Sequence, residues 1–181
     1  IHDVAPGSSQ AFHTATDGGM ADFATGIMEL ATVAGSDVIV DDILFLAEPM
    51  FQDGIVAQAA DSVVAMGVPY FSSAGNSGRD SYESGFRQSG MTVFGFGEAH
   101  DFDAGAGVDL FQNISVPVGA TLFITLQWDS PFFSVSGAPG SPNDLDIFLT
   151  DEPPTVGLAG SQTMNVGGDA VEVMSFTNTL S

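Results

Sequence analysis

The stretch Ser73-Ala74-Gly75-Asn76 closes a run of strand-forming residues with small side chains and then an amide. An asparagine can donate an N–H to an oxygen on which negative charge develops, a contribution of about 3–4 kcal/mol in acyl transfer. The small residues before it leave room for an extended peptide to lie close. The same residue types also build an ordinary strand-to-loop turn. A second set is rich in oxygen: Asp144 and Asp146 share one side of an extended segment, Asp129 ends another, and Asn143 precedes Asp144. These four could hold Ca²⁺, which takes about six to eight oxygen ligands. The alternative is a solvated acidic strand edge, which discourages edge-to-edge pairing. Asp41-Asp42 could form a carboxylate pair with separated protonation, but adjacent strand residues face opposite sides.

Such residues act only if the chain positions them. Residues 20–35 carry Phe23, Ala24, Ile27, Met28 and Ala31 at helical spacing, with Gly35 as a stop. Residues 53–67 repeat the pattern with Ile55, Val56, Ala59, Val63 and Val64, closed by Gly67. Residues 9–15, 36–46 and 68–75 read as strands, and the run over 36–46 is apolar enough for a strand buried on both faces. This alternation predicts a parallel sheet with right-handed crossovers in an α/β three-layer segment. Ligands in such sheets bind beyond the carboxyl ends of strands. Those ends are Asp41-Asp42-Ile43-Leu44 and Ser73-Ala74-Gly75-Asn76.

Residues 76–90 are polar, glycine-rich and hold both arginines, Arg79 and Arg87, as a loop or linker would. Beyond them no helical period recurs. Residues 91–97, 109–129, 144–151, 160–166 and 169–178 read as short strands separated by turn residues. That rhythm predicts an antiparallel β-sandwich. The expected organisation is an α/β domain over residues 1–90 and a β-sandwich over 91–181. Trp128, the sole tryptophan, belongs either to the sandwich core or to an exposed ligand platform. Asn113-Ile114-Ser115 is a glycosylation acceptor sequence, placed by chance in a strand.

Composition limits the partners. Two basic residues stand against 23 acidic ones, giving a formal net charge of −21, and there is no lysine. Nothing here neutralises phosphates, so nucleic acid is excluded as a partner. The acidity suits surroundings in which salt or divalent cations screen self-repulsion, or serves solubility alone. There is no cysteine, which excludes disulfides and thiolate metal sites. No apolar run approaches the roughly 18–20 residues of a membrane span. The chain starts at Ile1 without a signal-peptide pattern and reads as a piece of something longer. A nucleotide site is disfavoured, because no glycine-rich loop follows the first strand.

Three motifs, in order, carry a resemblance: Val4-Ala5-Pro6-Gly7, Asp37-Val38-Ile39, and Gly67-Val68 leading to Ser73-Ala74-Gly75-Asn76-Ser77-Gly78. Together they resemble the middle of a subtilisin-like serine protease, over roughly residues 1–80. The resemblance implies a partial subtilisin-like fold in which Asn76 is the oxyanion-hole donor. It implies that Ser73, Ala74 and Gly75 wall the primary specificity pocket, and that Asp42, Ile43 and Leu44 lie where the family pairs a strand with substrate. The β-rich half, with Leu126-Gln127-Trp128-Asp129 and Asp144-Leu145-Asp146, resembles the jelly-roll modules of secreted bacterial peptidases, often called pre-peptidase C-terminal domains.

The departures are specific. The family has a Ser-Leu-Gly where this chain has Asp42-Ile43-Leu44, and no Gly-Thr-Ser nucleophile motif occurs. His2 falls too late for the family's catalytic histidine and reads as surface or cleft rim; His13 reads as a packed imidazole. The expected function is therefore a fragment of a secreted subtilisin-like serine endopeptidase acting on peptide or protein substrates. It carries the oxyanion donor but no complete triad, and is inactive alone. It needs no cofactor, with calcium as a possible ion. The alternative is a non-catalytic extracellular or surface protein whose sandwich binds calcium or glycan. A parallel sheet cut from its flanking strands would expose apolar surface, so either copies associate or the cut ends are poorly ordered.

Overall fold

A computed structural model describes residues 1, 3–151, 154 and 156–179; His2 lies outside the described residues. Helix α1 spans Gly19–Thr32, and its buried Phe23, Gly26 and Ile27 recur at helical spacing. Strand β1 is Ile39–Asp41. Helix α2 spans Ile55–Ala65 and buries Val56, Ala59 and Val63. Strand β2 is Tyr70–Ser72. Gly35 and Gly67 follow the helices with φ of 64° and 91°, so both stops predicted from sequence take the left-handed backbone that glycine permits. Phe23, Ile27, Ile39, Val56, Ala59 and Val63 form one apolar core between the two helices and the strand pair.

Strands β1 and β2 are parallel, in the register Ile39↔Tyr70, Val40↔Phe71 and Asp41↔Ser72. They form a sheet of two strands only. The helices cover one face. On the other, Val40 and Phe71 remain 56% and 58% exposed. Residues 9–15, expected as a strand, are irregular. His13 there packs on α1: a Cβ at Gly26 would stand 2.3 Å from His13 Nδ1. His13 Nδ1 donates to the Thr14 carbonyl at 2.7 Å, so the ring is a packed imidazole.

The remaining elements are strands β3 (Gln88–Thr92), β4 (Glu98–His100) and β5 (Thr121–Gln127), the short helix α3 (Phe133–Ser136), and strands β6 (Ile147–Thr150), β7 (Gly157–Ser161) and β8 (Val171–Thr177). They pair two by two: β3 with β4, β5 with β8, and β6 with β7. The first and last of these pairs are antiparallel.

Of the expected fold class, the parallel three-layer α/β segment is overturned. The described structure consists of small two-stranded sheets with few helices, and no parallel three-layer core is present among the described residues. The apolar run over 36–46 misled because a strand needs partners: only Ile39–Asp41 finds a ladder, and only one of its faces is covered. No helix among the described residues is long and apolar enough to cross a membrane.

The chain divides into two compact units, Ile1–Gly75 with Phe123–Phe176, and Asn76–Leu122 with Thr177–Ser181. In the first unit a polar bracket joins distant segments. The Gln127 amide donates to the Glu48 carbonyl at 2.8 Å and accepts the Met50 N–H at 2.9 Å. Gln52 Oε1 accepts the N–H of the buried Phe132 at 2.6 Å. Gly140 sits where two loops cross, with Ser141 donating its N–H to the Gly168 carbonyl and accepting that of Gly167.

Candidate functional site

The parallel pair brings the two strand exits side by side. Asp41 and Ser72 are direct partners, and the Ser73 N–H continues the ladder to the Asp41 carbonyl at 3.2 Å. Alternation then sorts the side chains. Asp41 turns inward and accepts the Ser72 hydroxyl at 2.8 Å as well as the Tyr70 hydroxyl. Asp42 points the other way and accepts the Ser73 hydroxyl at 2.5 Å. The two aspartates are thus no dyad, as their adjacency on a strand requires.

Inward, a cavity of about 140 Å³ opens beside Asp41. Phe23, Ile43, Val56 and Ala60 give it apolar walls, and Asp41, Glu48, Tyr70 and Ser72 give it polar groups. Burial, reinforced by the charge of Asp41, holds the Glu48 carboxyl above its ordinary value. Burial and the hydrogen bond to Asp41 push the Tyr70 phenol up. A carboxyl group whose proton affinity is raised, beside a second one that accepts two hydroxyls, is an arrangement suited to proton transfer. Sequence reading missed Glu48 and Tyr70. Glu48 lies in an irregular segment and Tyr70 is 29 residues from the carboxylate it meets, so neither spacing nor period marks them.

A raised carboxylic acid stabilises the fold at low pH, and that contribution is lost as pH rises through its folded-state value. Glu48→Gln removes the buried ionisation. The variant should melt close to the parent at or below the ordinary glutamate value of about 4.3, and progressively above it as pH rises past that value. Melting curves across that range check this; a difference that stays flat with pH would contradict the burial of Glu48.

The segments singled out as substrate-binding lie just past the strands. Asp42 and Leu44 are exposed and Ile43 is half-buried in the cavity wall, all beyond the last ladder residue of β1. Ser73, Ala74 and Gly75 are exposed, and Gly75 turns the chain with φ 67°. Asn76, the first residue of the second unit, is exposed in a bend. The structure joins Asp42 to Ser73.

Of the four proposed calcium ligands, Asp144 and Asp146 act on each other electrostatically. Asn143 and Asp129 are both exposed. Asn143 engages Ser141 through its backbone, and Asp129 follows the end of β5. Trp128 is half-buried and donates its indole N–H to Ser141 Oγ at 3.2 Å.

The second unit holds an aromatic knot. His100 stacks edge-on against Phe102, with ring centroids 4.8 Å apart. Its Nδ1 accepts the Arg87 N–H at 3.0 Å, and its Nε2 lies 3.1 Å from the Tyr82 hydroxyl. Arg87 also donates to Tyr82 at 3.0 Å and to Ser84 at 2.7 Å. Burial, and then the charge of Arg87, lowers the affinity of His100 for a proton. Both ring nitrogens are engaged, so this neutral imidazole organises the loop and is not a free base.

Comparison with family models, with curated proteins and with solved structures finds no match.

Proposed function

We propose that this chain is part of a secreted subtilisin-like serine endopeptidase, carrying the oxyanion donor Asn76 and the substrate-binding segments 42–44 and 73–75. One observation carries the reading: the parallel register Asp41↔Ser72, which sets side by side the two strand exits that the motif order assigns to substrate. The reading rests on this pair and its exits, not on a layered core. The small residues Ser73-Ala74-Gly75 leave a peptide room to approach, and the segment 42–44, outside the ladder, has backbone groups that an extended substrate can meet. In the intact protein an upstream base would activate a serine downstream of residue 181, and Asn76 would bind the oxygen of the tetrahedral intermediate.

A second reading, a non-catalytic extracellular binding protein, is favoured by one contact. The Asp42 carboxylate, absent from the family's motif, already occupies the Ser73 hydroxyl at the proposed pocket wall. A fluorophosphonate probe, which phosphonylates activated serines irreversibly with loss of fluoride, separates the two. Labelling of the intact, folded protein at a serine beyond residue 181 is the expected result. An intact protein that folds and takes no label supports the binding protein instead.

A further inference from the structure

Strand β8 carries an acid on its inner face. Glu172 is 1% exposed and Met174 is 5% exposed, while the intervening Val173 is 38% exposed. Alternation alone would bury the valines and turn the glutamate to solvent, so this strand faces the opposite way from its hydrophobic preference. Glu172 Oε1 accepts the Thr163 N–H at 2.9 Å. Its Oε2 is buried and has no hydrogen-bond partner among the described residues. A second orphan stands nearby in the chain. Asn165 is 2% exposed and donates its amide to the carbonyls of Asp169 and Val171, at 3.0 and 3.1 Å. Its Oδ1 is buried without a partner among the described residues. The Asn165 N–H donates to Asp144 Oδ1 at 2.9 Å, which ties this loop to the Asp144–Asp146 segment.

An unpaired buried acceptor destabilises the fold, and buried carboxylates are ordinarily paired or bound to metal. The unit holding Glu172 contains no lysine and no arginine, since Arg79 and Arg87 both lie within 76–122. Within its own unit, the missing partner is therefore neither a lysine nor an arginine.

We propose that Glu172, Asn165, Asp144 and Asp146 form a calcium site, in which the two orphan buried oxygens are the fixed ligands and the two aspartates close over the ion. All four donors are oxygens, three of them carboxylates, with no imidazole or thiolate: a set for a hard cation. Calcium fits better than magnesium, because it accepts irregular oxygen geometry at longer distances. Among the described residues no three acidic or histidine side chains already stand as a metal-binding group. The exposed Asp146 must therefore turn inward when the ion binds. Asp144 and Glu172 both act electrostatically on Asp146, so one cation would relieve all three charges. Two of these ligands, Glu172 and Asn165, are not among the four residues expected from sequence. Asp129 and Asn143 are not among the four ligands proposed.

Calorimetric titration of the chain with calcium chloride, with melting curves in parallel, tests the proposal. Saturable heat with a dissociation constant on the order of 10⁻⁴–10⁻³ M or tighter is expected, as in extracellular calcium modules. Asp146→Asn, an exposed change that leaves the fold intact, should weaken binding about tenfold or more. Glu172→Gln should abolish it; if that variant does not fold, Asp146→Asn alone decides. Absence of heat and of any melting shift up to about 10 mM calcium overturns the site. A melting shift that survives Asp146→Asn is general screening of the negative charge, and also overturns it. An equal response to magnesium overturns the assignment to calcium.

Discussion

With Asn76 in the proposed oxyanion role, its replacement by alanine in the intact protein should lower kcat about 10²–10³-fold and leave KM close to its starting value. That split between the two constants would follow from where the proposed donor works. An oxyanion exists only in the transition state and the tetrahedral intermediate, so removing its donor raises the barrier without weakening substrate binding. Asn76 follows Gly75, whose φ of 67° turns the chain out of β2 with open space around it. The side chain is exposed, so truncating it removes no packing and the fold should survive. Asn76→Asp is the stricter comparison. It keeps the size but can present a negative charge to a developing negative charge, and should be no better than alanine at neutral pH. Steady-state kinetics on one peptide substrate measures all three proteins. A loss confined to KM would make Asn76 a ground-state binding residue, and an unchanged kcat/KM would remove it from the mechanism.

Gly140→Ala should destabilise the chain by about 3 kcal/mol or more, the largest single-residue effect expected outside the core. Two independent penalties meet there. The φ of 69° is a conformation that costs an L-residue about 1–2 kcal/mol. A Cβ would also stand 2.6 Å from the carbonyl carbon and oxygen of Gly167 and 2.8 Å from the Gly168 oxygen. Those atoms are backbone and cannot rotate away. They are held by the hydrogen bonds between Ser141 and Gly167/Gly168, at 2.8 and 2.9 Å. Gly35→Ala supplies the contrast. Its φ of 64° is equally unfavourable, but nothing lies within 4 Å of the added carbon. It should cost only the conformational share, about 1–2 kcal/mol. Denaturant melts of both variants give the difference; equal destabilisation would mean that the loop crossing yields without resistance.

The two helices were legible because both determinants are local: an apolar stripe at a period of 3.6, and a glycine able to take positive φ at each end. The strands were legible in place and not in extent. Residues 36–46 look like a long buried strand, yet only three residues find a partner ladder, since strand length depends on a second segment that local pattern does not contain. Residues 9–15 have strand composition, but the contact that decides their path is His13 against the flat surface of Gly26, 13 positions away. The pairing of 39–41 with 70–72 could be anticipated from motif order, and with it the joining of Asp42 to Ser73. Glu48, Tyr70 and Glu172 could not. The first two meet Asp41 through tertiary packing, and Glu172 occupies the face that its hydrophobic neighbours would have claimed. One signal was available for Glu172: a charged residue alternating with Ala170, Met174 and Phe176 in a strand where Val171 and Val173 hold the other register.

The bracket between Gln127 and the segment around Glu48 bears on how the chain folds. Its hydrogen bonds close separations of 77 to 81 residues, whereas β1 and β2 meet across about 30 residues through a single helical crossover. Contacts close in sequence form first, because the entropy lost in closing a loop grows with its length. The β1–α2–β2 segment with α1 is thus the natural nucleus, complete before residue 76. The Gln127 bracket can lock only after the intervening 76–122 stretch has been made and has collapsed on itself. Until it does, the segments it joins, around residues 48–52 and 127–132, stay unconnected, and that interval is when the chain is most open to a chaperone or to mispairing with another copy of itself.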